Sequence, residues 1–334
     1  MTHSKSAAAG APAGSRRARL FATLQRLLPF STLLLLFVLL SLASPHFLTR
    51  GNLSSVARQT AVINIMALGM TLVMVAGGID LSVGAMLAFC SLLGTMCLTT
   101  SPQGAWAQPL ALAVAVACGL AWGAANGLMT TKLRITPFIV TLGTLGIIRG
   151  LTLLISNGLP VVGLPASFSW LGEGNLARVV PVPLAVLALA AGLVHLLLEH
   201  TRLGRYAYAI GSNSEAARYS GVRVDACTVS VYAVSGGLVG LASMIEASRL
   251  MTGQPTAGEG YEMKTIAAVV IGGGSLRGGE GSVGGTLVGG FIMGLLSNGS
   301  NLLGISPFLQ QVIIGGVIIL AVGMDEWRKR ITRQ

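Results

Sequence analysis

The chain has 334 residues, of which 53% are apolar and 10% charged, with a mean hydropathy of +0.76 and a formal net charge of +11. That composition excludes the soluble one- or two-domain protein that the length alone would suggest, and is that of an all-α polytopic membrane protein. It also excludes a nucleic-acid reading of the charge, because the basic residues gather in segments on one side of the apolar runs: Arg16, Arg17, Arg19 and Arg26; Lys132 and Arg134; Arg202 and Arg205; Arg328, Lys329 and Arg330. Such a bias marks cytoplasmic loops and adds attraction to anionic lipid headgroups.

From the N-terminus, the basic stretch 1–26 opens on Ala, Gly, Ser and Pro and is expected to be a disordered cytoplasmic tail. The apolar run Leu27–Ala43 is one span long. A cleaved signal peptide is the rival reading, and the length of the run and the spans that follow speak against it. Further spans are expected at 60–77, 82–100, 109–130, 137–156, 182–200, 228–249, 264–275, 283–300 and 307–324. The total is about ten, with eight to ten open, because the 264–275 run is short and Gly-ended and reads as a broken or re-entrant helix. Ten spans put both termini inside, so that a single transmembrane domain 27–324 is followed by a basic tail, 325–334. The four cysteines lack C-x-x-C spacing and read as small reduced apolar residues, with neither a disulfide framework nor a metal site expected.

Polar residues inside spans are costly and normally face a cavity or another helix. Thr60, Asn64 and Thr71 fall on one face of the second span, and Thr141, Thr144, Thr152 and Ser156 on one face of the fifth. Asn126 lies in the fourth span, Asn157 ends the fifth, and Ser297, Asn298 and Asn301 end the ninth. Neutral hydroxyls and amides suit an uncharged polyhydroxylated solute better than an ion. Glu246 and Arg249, one turn apart in the seventh span, read as an i, i+3 ion pair, with a proton-coupling carboxylate as the alternative.

Between the second and third spans, Ala76-Gly77-Gly78-Ile79-Asp80-Leu81-Ser82-Val83-Gly84 breaks a helix at two glycines and offers two N-cap residue types, Asp80 and Ser82, for the next one. The segments 73–89 and 269–289 echo each other: an apolar run, a Gly-rich break, then Ser-Val-Gly opening the next run. Paired interruptions of this kind often flank a transport route.

The longest polar interval is Thr201–Asp225. Ser212-Asn213-Ser214-Glu215 reads as a capping box and Gly221 as a left-handed stop, framing a helix of about two turns that needs packing to persist. Further on, Gln254–Glu262 is expected to face outward, its two acids, Glu259 and Glu262, available to a docked partner. No G-x-x-x-x-G-K-[ST] phosphate loop occurs anywhere, so an ATP site of that type is absent from the chain.

Three of these stretches carry a family resemblance. Gly211, Asn213, Ala216, Ala217, Gly221 and Val222 fit G-x-N-x-x-A-A-x-x-x-G-V; Gly77 to Gly84 is similar to G-G-I-D-L-S-V-G; and Gln254 to Glu262 matches Q-P-T-A-G-x-G-Y-E. Together they resemble the permeases of bacterial ATP-binding-cassette (ABC) sugar importers of the ribose/xylose/galactose group, nearest the ribose permeases, over about residues 45–324.

The resemblance implies that the 201–225 loop is a coupling helix, inserted into a groove of a cytoplasmic ABC ATPase. Gly211, Ser212, Asn213, Glu215, Ala216, Ala217, Arg218 and Gly221 are the coupling residues expected from it. Asn64, Thr71, Gly77, Gly78, Asp80, Ser82, Asn126, Thr144, Asn157 and Asn298 are the candidate gate and pathway residues. The implied partners are that ATPase, a periplasmic sugar-binding protein, a second permease copy and membrane lipid in the bacterial inner membrane. No cofactor and no catalysis are expected of the chain itself. A stand-alone ion-coupled sugar transporter is the alternative, and it would need membrane-embedded carboxylates beyond Asp80 and Glu246. The divergent outer segment 157–181 and the long N-terminal tail depart from the ribose-permease pattern and leave the choice of sugar open.

Overall fold

A computed structural model describes residues 14–101 and 104–332. Thirteen α-helices follow one another: α1 (Gly14–Ala43), α2 (Arg50–Val75), α3 (Val83–Thr100), α4 (Ala107–Lys132), α5 (Pro137–Ser156), α6 (Ser169–Glu173), α7 (Val182–His200), α8 (Arg202–Ser212), α9 (Ser214–Tyr219), α10 (Val224–Leu250), α11 (Tyr261–Ile271), α12 (Val283–Leu302) and α13 (Pro307–Thr332). Between α6 and α7 lies a two-stranded antiparallel ribbon, Asn175–Leu176 with Val180–Pro181.

Each of the ten expected spans falls on a helix, and among the described residues six helices (α2, α3, α4, α5, α7 and α10) are long and apolar enough to cross a membrane. α11, at 11 residues, is too short to cross. The second half of the expected N-terminal tail already belongs to α1; its residues 1–13 lie outside the described residues. The helices α2 and α13 also extend past their apolar runs. Arg50 and Arg58 are therefore helical, and Arg58 forms an ion pair with Glu173 of α6 at 3.2 Å.

The α2 helix runs through the centre of the molecule and is buried on every side from Thr60 to Val75. Helix α10 packs lengthwise on α4, where glycines remove the side chains that would hold the axes apart. A Cβ on Gly119 would run into the Gly236 carbonyl, and one on Gly123 into the Tyr232 carbonyl. In lipid, where apolar surface alone does not favour association, such close backbone approach is a main source of helix–helix stability.

The two echoed breaks share one stop geometry. After α2, the Gly78 amide donates to the Val73 carbonyl and Gly77 to Met74; after α11, Gly274 donates to Val269 and Gly273 to Val270. Both Gly77 (φ +81°) and Gly273 (φ +90°) are left-handed, as this C-terminal motif requires. The breaks are also neighbours, since the Gly279 amide donates to the Val75 carbonyl at 2.9 Å.

Candidate coupling and translocation site

The α8–α9 region sits against the ends of both breaks. The Tyr208 hydroxyl donates to the Gly281 carbonyl at 2.8 Å, and Gly211 lies so close to the end of α2 that a Cβ there would meet the Val75 carbonyl and the Gly279 amide. That packing carries α8 through Ser212, one residue further than a cap at Ser212 allows. The cap of α9 is therefore Asn213, in extended backbone, whose Oδ1 accepts from the Ala216 amide at 2.9 Å. This corrects the capping box: Ser212 closes α8, and Glu215 lies in the first turn of α9 as its one acid.

The stop is as expected. The Val222 amide donates to Ala217 and Gly221 to Arg218, with Gly221 at φ +84°. Arg218 reaches Asp225 of α10 at 3.1 Å, an exposed pair worth about 1 kcal/mol or less. Ala217 is 6% exposed and faces the protein core, whereas Ser212, Asn213, Glu215, Ala216 and Arg218 are exposed. Tyr219, which sequence reasoning missed, is 89% exposed on the same short helix. A lone tyrosine in a polar loop has no spacing that would distinguish it.

Behind α9 opens a cleft of about 740 Å³, bounded by Gly77 and Gly78 of the first break, Arg134 of the α4–α5 turn, and Glu215, Arg218 and Tyr219. Its deep end is Tyr232, whose hydroxyl donates to the Ile79 carbonyl at 3.2 Å and closes on Gly78. Thr141 of α5 donates to the same carbonyl at 3.1 Å. Asp80 and Ser82 are completely buried: Asp80 Oδ1 accepts from the Ser82 amide at 2.9 Å and from its hydroxyl at 2.6 Å. Asn126 of α4 donates to Ser82 Oγ at 2.9 Å. Sequence reasoning joins Asp80 and Ser82 in one motif and leaves Asn126 apart in the fourth span; the fold brings all three to one point, with Gly77, Gly78 and Thr141 beside them.

The polar row on α2 faces α12. Thr71 and Thr286 share a 2.6 Å hydroxyl–hydroxyl bond, Asn64 sits against Gly290 and Thr60 against Gly294. Neither Asn64 Oδ1 nor Nδ2 finds a partner, and the Thr60 hydroxyl finds none either. Thr144, 2% exposed, donates to the Thr141 carbonyl on α5. The remaining candidates lie apart from these. Asn157 is an exposed left-handed cap at the end of α5, and Asn298 forms a reciprocal amide pair with Asn52 at 2.8 and 3.2 Å.

Unsatisfied buried amides cost stability, and replacing one by an apolar group of similar shape is close to neutral. Asn64→Leu is therefore expected to leave the detergent-solubilised chain as stable as the parent, while uptake falls about tenfold if the amide contacts solute, a loss of about 1.4 kcal/mol. Radiolabelled-sugar uptake beside a thermal unfolding curve separates the two effects; a variant that fails to assemble makes Asn64 structural instead.

The segment 252–262 departs from the expected outward loop. Gly253 packs against Thr95 and Gly258 against Gly84, so the chain runs along α3 from its C-terminal towards its N-terminal end. Arg149 of α5 clamps it by donating to the Pro255 and Ala257 carbonyls at 2.8 and 3.1 Å. Thr256 and Glu259 remain exposed, but Glu262 is half-buried beside Gly84. Nearby, Glu246 and Arg249 form the expected i, i+3 pair through two hydrogen bonds of 2.9 and 3.1 Å, joined by the Tyr261 hydroxyl at 3.2 Å. A carboxylate so engaged is a structural partner of its arginine.

Residues 52–322 match the family described as branched-chain amino acid transport system / permease component. The chain is similar to the ribose import permease protein RbsC of Escherichia coli strain K12, at 44% identity over 88% of this chain and 91% of that protein. It is similar to the RbsC of Bacillus subtilis strain 168, at 43% over 90% and 93%. The D-allose transport system permease protein AlsC of E. coli K12 is 36% identical over 85% and 86%. No solved structure was found to match the chain.

Proposed function

We propose that this chain, which belongs to the branched-chain amino acid transport system / permease component family, is the membrane permease of an ABC importer that conducts ribose or a closely related pentose. The observation that carries the reading is the likeness to ribose import permeases over nearly the whole chain. The chain transforms no substrate; ATP is hydrolysed by a separate cytoplasmic subunit, in keeping with the missing phosphate loop.

In this reading α9 is the coupling helix. Its exposed face, Glu215, Ala216 and Tyr219, enters a groove on the ATPase, and closure of two ATPases pushes on α8. Through Gly211 and Tyr208 the push reaches the ends of α2 and of the second break, where Gly77, Gly78 and Asp80 form the gate. The buried polar residues Asn64, Thr71, Ser82, Asn126 and Thr144 serve the route or the joints that open it. Two copies of the permease form the pathway in the bacterial inner membrane, with both termini in the cytoplasm and a periplasmic sugar-binding protein docking outside. Asn157 and Asn298 then lie towards the periplasmic end.

Co-purification of the tagged chain from native membranes, followed by mass spectrometry, tests the assignment. An ATPase carrying a phosphate loop is expected, and it is lost when 213–221 is scrambled. A clean preparation without ATPase, in a detergent that preserves comparable complexes, overturns the reading in favour of a stand-alone transporter.

A further inference from the structure

One stretch at membrane depth is neither helix nor strand. Between α10 and α11, residues 252–260 form turns and a single bridge, Gly253 with Val161, closed by two backbone bonds of 2.9 and 3.0 Å. The chain then follows α3. Gly253 meets Thr95 and Gly258 meets Gly84, so the stretch accompanies 11 helical positions, about 16 Å. With its 18 residues, α3 is one of the six helices able to cross a membrane, and more than half of its length has this non-helical chain beside it. At the inner end the approach is backbone on backbone: a Cβ on Gly84 would run into the Gly258 carbonyl, and one on Gly258 into the Gly84 carbonyl.

Non-helical backbone at such depth persists only where it is buried in protein or lines a water-filled cavity. The two edges of 252–260 meet that condition differently. Gly253, Pro255 and Gly258 are buried, and Arg149 of α5 holds the Pro255 and Ala257 carbonyls. The other edge is open. Thr256 and Glu259 are exposed, and the half-buried Gln254 donates its amide to the Thr256 hydroxyl at 3.2 Å. Among the described residues Glu259 joins no ion pair. A carboxylate, a hydroxyl and an amide turned to lipid tails would be costly, and such groups mark a pathway instead.

We propose that the translocation route runs along this open edge, where Gln254, Thr256 and Glu259 exchange hydrogen bonds with an uncharged polyhydroxylated solute. This placement rests on the permease function proposed above. The edge offers donors and acceptors without a cation of its own, which suits hydroxyl groups better than an anion. It ends at Gly84, two positions past Ser82, and so leads to the 76–82 break where the gate is proposed. Glu259, next to Gly258, lies too deep along α3 for a protein docked at the α10 end to reach. The polar row of α2, by contrast, is enclosed by protein on every side.

Thiol labelling of Thr256→Cys and Glu259→Cys tests the route, in proteoliposomes that hold the chain with its co-purified ATPase and binding protein. The reagent is a charged, membrane-impermeant methanethiosulfonate, and labelling is counted above that of the parent with its four cysteines in place. Both variants should react at least about tenfold faster than Leu193→Cys, on the exposed apolar face of α7, where a thiol ionises poorly. Their labelling should slow when ribose-loaded binding protein and ATP are supplied together. Thiols inert to the reagent, or labelled at a rate that solute leaves unchanged, overturn the proposal; inert thiols that cross-link two copies place this edge at a subunit joint instead. ATP-dependent uptake by the parent, measured in the same vesicles, separates the two levels. If it holds while the thiols are inert, only the route is misplaced, and if it fails, the permease reading fails and the route with it.

Discussion

Replacing Ala216 by Glu and Tyr219 by Ala together is expected to abolish ATP-driven uptake, with a loss of about 100-fold or more, while leaving the amount and stability of the membrane-inserted chain unchanged. Both residues are exposed, Tyr219 at 89%. An aromatic ring offered so openly at the tip of a short, doubly anchored helix has the properties of an interface anchor, and truncating such residues costs about 2 kcal/mol or more. The added carboxylate beside Glu215 desolvates badly inside a groove. The helix itself survives the change because its fixed points are elsewhere, at the Asn213 cap, the Gly221 stop and the buried methyl of Ala217. The check is uptake in membrane vesicles together with quantitative recovery of the ATPase on the tagged chain. Normal uptake by the double variant would show that α9 is not the gripped element.

Gly211→Val is expected to do more damage, and of a different kind. At this position any side chain meets backbone, the Val75 carbonyl and the Gly279 amide, and neither can swing aside as a flexible side chain would. Overpacking of this sort typically costs about 1–3 kcal/mol. Here it also separates α8 from α2 and from the second break, so uptake should disappear and the unfolding midpoint fall by about 5 °C. Gly221→Val makes the comparison. Nothing lies within 4 Å of a Cβ at Gly221, and the penalty comes from its φ of +84° alone. A β-branched residue there disfavours the left-handed stop by about 1–2 kcal/mol, so α9 should lose its C-terminal bonds and uptake should drop while the unfolding midpoint falls by about 2–3 °C, less than in Gly211→Val. Circular dichroism melts and uptake on both variants distinguish a lost contact from a lost turn. A Gly211→Val protein that transports normally would remove the mechanical link between α8 and the proposed gate.

Much of this architecture was legible from the residues. Each expected apolar run falls on a helix, and among the described residues six of these are long and apolar enough to cross a membrane, because span length and hydropathy are set by the bilayer and need no tertiary information. Gly221 and Gly77 announced their breaks because left-handed backbone is nearly a glycine property. What was hidden depended on contacts between distant segments. Ser212 and Asn213 are both good cap residues, and the choice between them is made by Gly211 seating against Val75, 136 positions away in sequence. The inward course of 252–262 is decided by Arg149 reaching from α5, which nothing in Gln254–Glu262 reveals. Likewise the α2 polar row could be placed on one face from its spacing, but its counterpart, the glycine row Gly290 and Gly294 of α12, was not visible from either helix alone.

The polar candidates also sorted themselves in a way that spacing could not show. Asp80, Ser82 and Asn126 came together because the break carries α3's start back against α4, whereas Asn157 became a helix cap and Asn298 an amide pair with Asn52. Residue type identified the class of contact in each case. Only the fold decided which contacts share a place.

The central claim, a permease driven by a separate ATPase, is tested most directly by uptake of labelled ribose into proteoliposomes holding this chain with its co-purified ATPase and binding protein. The account predicts accumulation that requires internal or external ATP on the side of the ATPase, is unaffected by a protonophore, and is lost in the Ala216→Glu, Tyr219→Ala variant. Uptake by the chain alone, driven by an ion gradient and collapsed by the protonophore, would contradict it.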